Sequence, residues 1–144
     1  MNEELRLTYN ALQVEQTAQQ VKEFFKDASI VTLTGSLGAG KTTLVAQILK
    51  QLGVAGPIVS PTFTYVNVYK LADGKVIYHF DLYRLDSLEA FEQAGFAEYL
   101  YQENSICFIE WPEIVMPLLT RSVCHLAIDF DSLDQRQLVA HCIK

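Results

Sequence analysis

The order of apolar and polar positions divides the chain into helix-like and strand-like segments separated by short turn signals, with no repeat, low-complexity run or linker between them. Residues 14–27 carry Ala18, Val21, Phe24 and Phe25 at three-and-four spacing, which predicts an amphipathic helix packed by that side. The apolar run IVTLT (30–34) reads as a buried strand, and 41–52 as a helix closed by Gly53, the residue type favoured just past a helix end. TFTYVNVYKL and KVIYHFDLY flank ADG as two antiparallel strands joined by a tight turn in which Gly74 takes a positive φ. Asp86 and Glu89 have capping-box spacing and start a helix that ends at Gly95. SICFIEW (105–111) is another buried strand, and SVCHLAIDF and QLVAHCI complete the sheet. The predicted fold class is α/β with a mixed sheet.

Composition narrows the classes open to this chain. At 144 residues, half of them hydrophobic, with a mean hydropathy of +0.14, it supports one buried core and one domain spanning 1–144. No apolar run approaches the roughly 18 residues of a membrane span, and MNEELRLTYN has neither the basic flank nor the apolar stretch of a signal peptide. A cytoplasmic protein without a membrane partner is expected. Cys107, Cys124 and Cys142 are an odd number, sit in strand-like segments and show no CxxC spacing, which favours buried reduced thiols over disulfides or zinc ligands. His125 and His141 neighbour two of them, but adjacent strand residues face opposite ways. A net charge of −6 and a pI near 4.9 repel phosphate backbones, and no basic run offsets this, so direct capture of DNA or RNA is not expected.

The stretch GSLGAGKTT (35–43) lies between the IVTLT strand and the next helix, the context in which the pattern GxxxxGKT becomes informative. Its glycines, Gly35, Gly38 and Gly40, allow backbone torsions closed to other residues, so that successive N–H groups through Ser36, Leu37 and Ala39 can wrap a phosphate. The helix starting there adds unpaired N–H groups and the positive end of its dipole. Lys41 supplies a charge for the β and γ phosphates, the Thr42 hydroxyl can ligate magnesium, and Thr43 continues the motif. A chance match in a chain of this length has a probability on the order of 1% or less, so nucleoside triphosphate binding is the expected function.

Magnesium usually takes one or two carboxylates besides phosphate and water. Asp81 ends VIYHFD and Glu110 ends SICFIE, where buried strands deliver side chains to the carboxyl edge of the sheet. Either alone reads equally as an acid at a strand end; the two together beside the loop favour function. Thr62, in SPTFTY, is a candidate loop hydroxyl for the γ-phosphate, with a simple polar residue after the Pro61 turn as the competing reading.

GSLGAGKTT, SPTFTYVNVY, YHFDLYRL and IEWPE, in this order and at these distances, resemble the TsaE (YjeE) family over essentially the whole chain. The resemblance implies a P-loop NTPase-like three-layer fold whose parallel core strands are flanked by antiparallel ones. It implies an ATPase with ATP and Mg2+ as cofactors, acting with TsaB and TsaD and with the TsaC-type enzyme in threonylcarbamoyladenosine biosynthesis on tRNA, which it meets through that complex. Carried over by position, residues 35 to 42 cradle phosphates, Thr42 and Glu110 hold magnesium, Asp81 takes the Walker B-like role, Thr62 lies in a switch-like loop, and Trp111 stands beside the site. Ser36 departs from the family, which often has Asp there.

The alternative is a P-loop small-molecule kinase. Such kinases usually cover the transferring phosphate with a lid of arginines, whereas the four arginines here, Arg6, Arg84, Arg121 and Arg136, are widely spaced. Arg84 is expected to face solvent or a partner, and Arg121 and Arg136 to lie at distant strand edges. A GTPase lacks support because no NKxD motif is present, and a non-catalytic nucleotide-dependent module would differ only in turnover. The segment before the first helix is expected to form one wall of the base site.

Overall fold

A computed structural model describes residues 3–144; Met1 and Asn2 of the N-terminal stretch and of the expected domain lie outside the described residues. In chain order the elements are β1 (Glu3–Asn10), α1 (Val14–Phe24), β2 (Ile30–Thr34), α2 (Lys41–Leu52), β3 (Val66–Lys70), β4 (Val76–Asp81), α3 (Leu88–Gln93), β5 (Ser105–Glu110), β6 (Val123–Phe130) and β7 (Gln135–Ile143). Short 3-10 helices occupy Ala11–Gln13, Phe96–Tyr99 and Glu113–Leu118. The strands form one sheet in the order β1-β7-β6-β2-β5-β4-β3. Strands β6, β2, β5 and β4 run parallel, β7 and β3 flank them antiparallel, and β1 pairs antiparallel with β7 at the edge, so the mixed sheet is present with the predicted arrangement.

One face of the sheet carries Val31, Leu33, Phe108, Leu126 and Ile128 against the apolar sides of α1 (Ala18, Val21) and α2 (Leu44, Val45, Ile48). The other face packs Ile30, Phe80, Cys107 and Ile109 beneath Phe91 of α3 and Val115 of the Glu113–Leu118 turn. Because β2 is continuous and central, its carboxyl end meets the sheet edge between β5 and β6, the position at which ligands enter open α/β sheets.

Strand β2 and helix α2 keep their predicted bounds, and Gly53 closes α2 in the left-handed region at φ 111°. Four expectations change. The first strand went unread, although Leu5, Leu7 and Tyr9 alternate with polar neighbours and pack toward the core while β1 pairs with β7. Helix α1 stops at Phe24 rather than 27, and Phe25 turns beneath the sheet to meet Phe108 edge-on at 5.7 Å, leaving Phe24 only partly buried. The cap of α3 is Ser87, whose hydroxyl accepts from Ala90 N; Asp86 lies one residue too early to reach the free amides. Finally, Cys124 and Cys142 are joined by a disulfide, while Cys107 is a buried free thiol. The β6–β7 register sets Cys124 directly opposite Cys142 with Cα atoms 4.0 Å apart, a pairing across 18 residues that cysteine spacing alone does not reveal.

Candidate functional site

The chain between β2 and α2 is a cradle of backbone. Gly35, Gly38 and Gly40 all have positive φ (142°, 81° and 98°), so the loop turns in a way that side-chain-bearing residues resist. At Gly35 space is also decisive, because a Cβ there would collide with the carbonyl oxygen of Ile128 on β6. Ala39 is different: its methyl is fully buried in the core, so only its backbone can face a ligand. Lys41, 5% exposed, donates from Nζ to the carbonyls of Gly35 (2.7 Å) and Ser36 (3.0 Å), and its ammonium lies 4.2 Å from the Trp111 ring centroid. Burial pushes the Lys41 ammonium below its ordinary value, and Glu110, Asp81, Glu113 and Asp129 oppose that push. Ser36 donates to Asp129 at 2.6 Å, so a carboxylate does stand beside this position, supplied from β6. That hydroxyl and the Phe130 amide hold the Asp129 carboxyl below its usual range.

The opposite wall consists of side chains brought together by parallel pairing. Asp81 and Glu110 are register partners at the carboxyl ends of β4 and β5. Thr42, in the first turn of α2, donates to Glu110 Oε1 at 2.8 Å, and His79 Nε2 lies 2.6 Å from Glu110 Oε2. Asp81 belongs to a second set: it accepts from the Ser60 hydroxyl (3.0 Å) and the Tyr83 amide (3.0 Å), and Ser60 in turn lies 3.1 Å from Thr62. Trp111, held at φ 57° just past β5, meets Tyr83 with ring centroids 4.8 Å apart.

Cradle and wall enclose a cleft of about 450 Å³. Of the sequence-predicted residues, Leu37, Gly38, Gly40, Thr43, Thr62 and Trp111 line it, together with Lys41, Thr42, Asp81 and Glu110. Gly35, Ser36 and Ala39 stand behind that lining. Ser60, His79 and Tyr83, which complete the network, are not among the sequence-predicted residues. His79 left a usable signal, a polar residue inside the apolar run VIYHF. One arginine, Arg136, sits elsewhere than expected, while Arg84 is exposed as expected. Arg84 lines the cleft, 5.1 Å from the Phe63 ring, and Arg136 donates to the Ala39 carbonyl at 3.1 Å. Arg136 stands at the start of β7, paired with Phe130 at the carboxyl end of β6, which brings it to the loop across 97 residues, a proximity that position in the chain conceals.

A second cleft of about 510 Å³ adjoins the first through Gly40 and Thr43, which line both. It is walled by Tyr9, Asn10, Leu12, Leu133 and Arg136. Among the described residues no cluster of three or more His, Cys, Asp or Glu side chains is arranged to hold a metal ion. The donor set nonetheless fits magnesium bound with phosphate, because the Thr42 hydroxyl and the Glu110 carboxylate, in contact at 2.8 Å, are both hard oxygen ligands beside the glycine loop. No helix among the described residues is long and apolar enough to cross a membrane.

Sheet order, the glycine cradle and a helix opening on it together define a P-loop-type α/β protein. The family model described as "Threonylcarbamoyl adenosine biosynthesis protein TsaE" matches residues 8–138, and the chain belongs to the TsaE family. It is 44% identical over 114 residues to the tRNA threonylcarbamoyladenosine biosynthesis protein TsaE of Haemophilus influenzae, covering 78% of this chain and 71% of that one. The Bacillus subtilis protein of the same name is 31% identical over 132 residues, or 91% of this chain and 80% of that one. The crystal structure of Bacillus subtilis YdiB superposes with a TM-score of 0.75 at 26% identity, over 100% of this chain and 88% of that one.

Proposed function

We propose that this chain is a magnesium-dependent ATPase that serves tRNA threonylcarbamoyladenosine biosynthesis in the cytoplasm together with a TsaB–TsaD complex. The observation that carries this reading is the pairing of a positive-φ glycine cradle with the Thr42 hydroxyl and Glu110 carboxylate that meet beside it, an oxygen set suited to magnesium. Loop amides and the start of α2 would take the phosphates. Lys41 would exchange the Gly35 and Ser36 carbonyls for phosphate oxygens, a trade of weaker neutral acceptors for charged ones. Magnesium, when bound by Thr42 and Glu110, neutralises charge on the phosphate oxygens. Asp81 would hold the Ser60–Thr62 loop against the γ-phosphate side. The adjoining cleft at Tyr9–Leu12 suits the base, in keeping with the segment before the first helix forming one wall.

Arg84 is the single arginine lining the phosphate cleft among the described residues, which supports an ATPase over a kinase with an arginine-rich lid. Exposed apolar side chains near the cleft mouth, Leu37, Phe63 and Tyr83 on its lining loops, suit a protein partner better than an RNA backbone, and the net charge of −6 agrees. The test measures ATP hydrolysis with and without TsaB–TsaD, beside tRNA binding by the purified chain across a salt series. Slow hydrolysis accelerated by the complex, with little tRNA affinity alone, is expected. Tight, salt-sensitive tRNA binding with unchanged hydrolysis would overturn the reading.

A further inference from the structure

We propose that His79 is a positioning residue for Glu110 whose importance rises when magnesium arrives; this rests on the magnesium-dependent reading above. His79 stands in the middle of β4, 0% exposed, on the face covered by α2, where its strand neighbour Ile77 is core. A histidine in such a place needs partners. Its Nε2 lies 2.6 Å from Glu110 Oε2, and its Nδ1 is a buried atom without a hydrogen-bond partner. A carboxylate only accepts, so with Glu110 as the carboxylate that magnesium needs, Nε2–H of His79 is the donor to Oε2, and Nδ1 makes no hydrogen bond. The imidazole is thus committed to one acceptor.

Glu110, 1% exposed, has two hydrogen-bond donors to its carboxylate among the described residues, Thr42 and His79. Both oxygens facing magnesium must present lone pairs to it, so the Thr42 hydroxyl turns its hydrogen away from Glu110 as it becomes a ligand. Glu110 then keeps a single hydrogen bond, from His79. Without that bond the carboxylate is free to rotate about its last torsion, and Oε1 would lose its alignment beside Thr42 Oγ1. The phosphate cradle, by contrast, is built from residues 35–43 and makes no use of His79. The effect of removing His79 therefore falls on metal linkage and spares metal-free nucleotide binding.

The experiment titrates ADP into the full chain with and without magnesium chloride, following Trp111, the only tryptophan, whose ring lies beside Lys41. The quantity read is the factor by which magnesium tightens ADP binding. His79→Leu should lower the apparent magnesium affinity roughly tenfold or more, the usual scale for outer partners of a metal ligand, while ADP alone binds as in wild type. His79→Gln, whose side-chain amide can reach the place of Nε2–H, should restore most of the linkage, and His79→Asn, which is too short, should not. A folded His79→Leu protein with an unchanged magnesium factor, or His79→Gln failing as badly as His79→Leu, would overturn the inference. Should His79→Leu not fold, the wild-type imidazole nitrogens decide: magnesium added to the ADP-bound chain must shift the Nε2 resonance of His79, and a static signal overturns the proposal. If wild type shows no tightening by magnesium at all, the magnesium reading and this inference fall together; tightening that ignores His79 removes the inference alone.

Discussion

The two walls of the cleft are made differently. The loop from Gly35 to Thr43 is shaped by its backbone: positive φ at three glycines sets its path, and its lysine is anchored to carbonyls five and six residues away. The facing wall is made of side chains from β4, β5 and the loop before β3, joined by hydrogen bonds that span 21 and 31 residues, and a third, across 68, ties it to Thr42 of the cradle. A backbone cradle is encoded locally, because each torsion demands a residue type at a fixed position. A side-chain network is encoded by register, because a one-residue slip of β4 against β5 would part His79 from Glu110 and turn it to the other face of the sheet.

The largest effect is expected where the cradle meets the sheet. Gly35→Ala adds a methyl that strikes the Ile128 carbonyl, so β6 and the loop must separate. Gly38 also has positive φ, but nothing lies within 4 Å of an added Cβ. Gly38→Ala should therefore cost only the left-handed penalty, about 1–2 kcal/mol, whereas Gly35→Ala should cost more than that in chemical denaturation and abolish ADP binding. Equal losses at the two positions would show that conformation alone, without packing on β6, shapes the cradle.

This contrast explains what could be read from the sequence. The cradle, β2, α2 and the identity of Asp81 and Glu110 as strand-end acids were all legible, since each rests on a local pattern with a physical cause. Ser60 and Tyr83 were not, and His79 showed only as a polar break in an apolar run, because a hydrogen-bonding residue in a loop or strand says nothing of its partner until the strands are paired. The same limit hid the Cys124–Cys142 bridge and the reach of Arg136 to Ala39. The first strand was legible and passed over: Leu5, Leu7 and Tyr9 alternate over a span too polar to stand out beside the apolar core strands.

A medium effect separates the two acids. Glu110→Gln keeps one oxygen for His79, but the amide it turns to the Thr42 hydroxyl can only donate, so the lone pair that Oε1 would offer to magnesium is gone. Asp81→Asn keeps Oδ1 for the Tyr83 amide, and the Ser60 hydroxyl can reverse to accept from the new amide. Magnesium titrations of ATP turnover should show the requirement rising roughly tenfold or more for Glu110→Gln and by no more than about threefold for Asp81→Asn, both variants turning over slowly. The reverse order would exchange the roles assigned to the two acids, and no change in either would remove the wall from the mechanism.

The smallest effect lies outside both walls and tests how far the site's electrostatics extend. His125, on β6, is half-buried with Nδ1 2.6 Å from the Thr32 hydroxyl, and its cross-strand neighbour is His141, itself opposite Glu4 on β1. Burial first, and His141 second, hold the His125 pKa below its ordinary value. Above about pH 6.5, the ordinary histidine value, folded and unfolded chains both keep this ring neutral. As pH falls below it, the unfolded chain takes a proton that the folded site resists, so folding stability declines until the lowered folded pKa has been passed. Solvent screening of a half-buried ring keeps the slope under the one-proton limit of about 1.4 kcal/mol per pH unit. Denaturation from pH 7 to pH 5 should therefore show a gentle loss of stability that flattens in His125→Gln, while ADP affinity at pH 7.5 stays at the wild-type value. A His125→Gln chain with an unaltered pH slope would place the proton uptake elsewhere, and a changed ADP affinity would tie this strand pair to the nucleotide cleft.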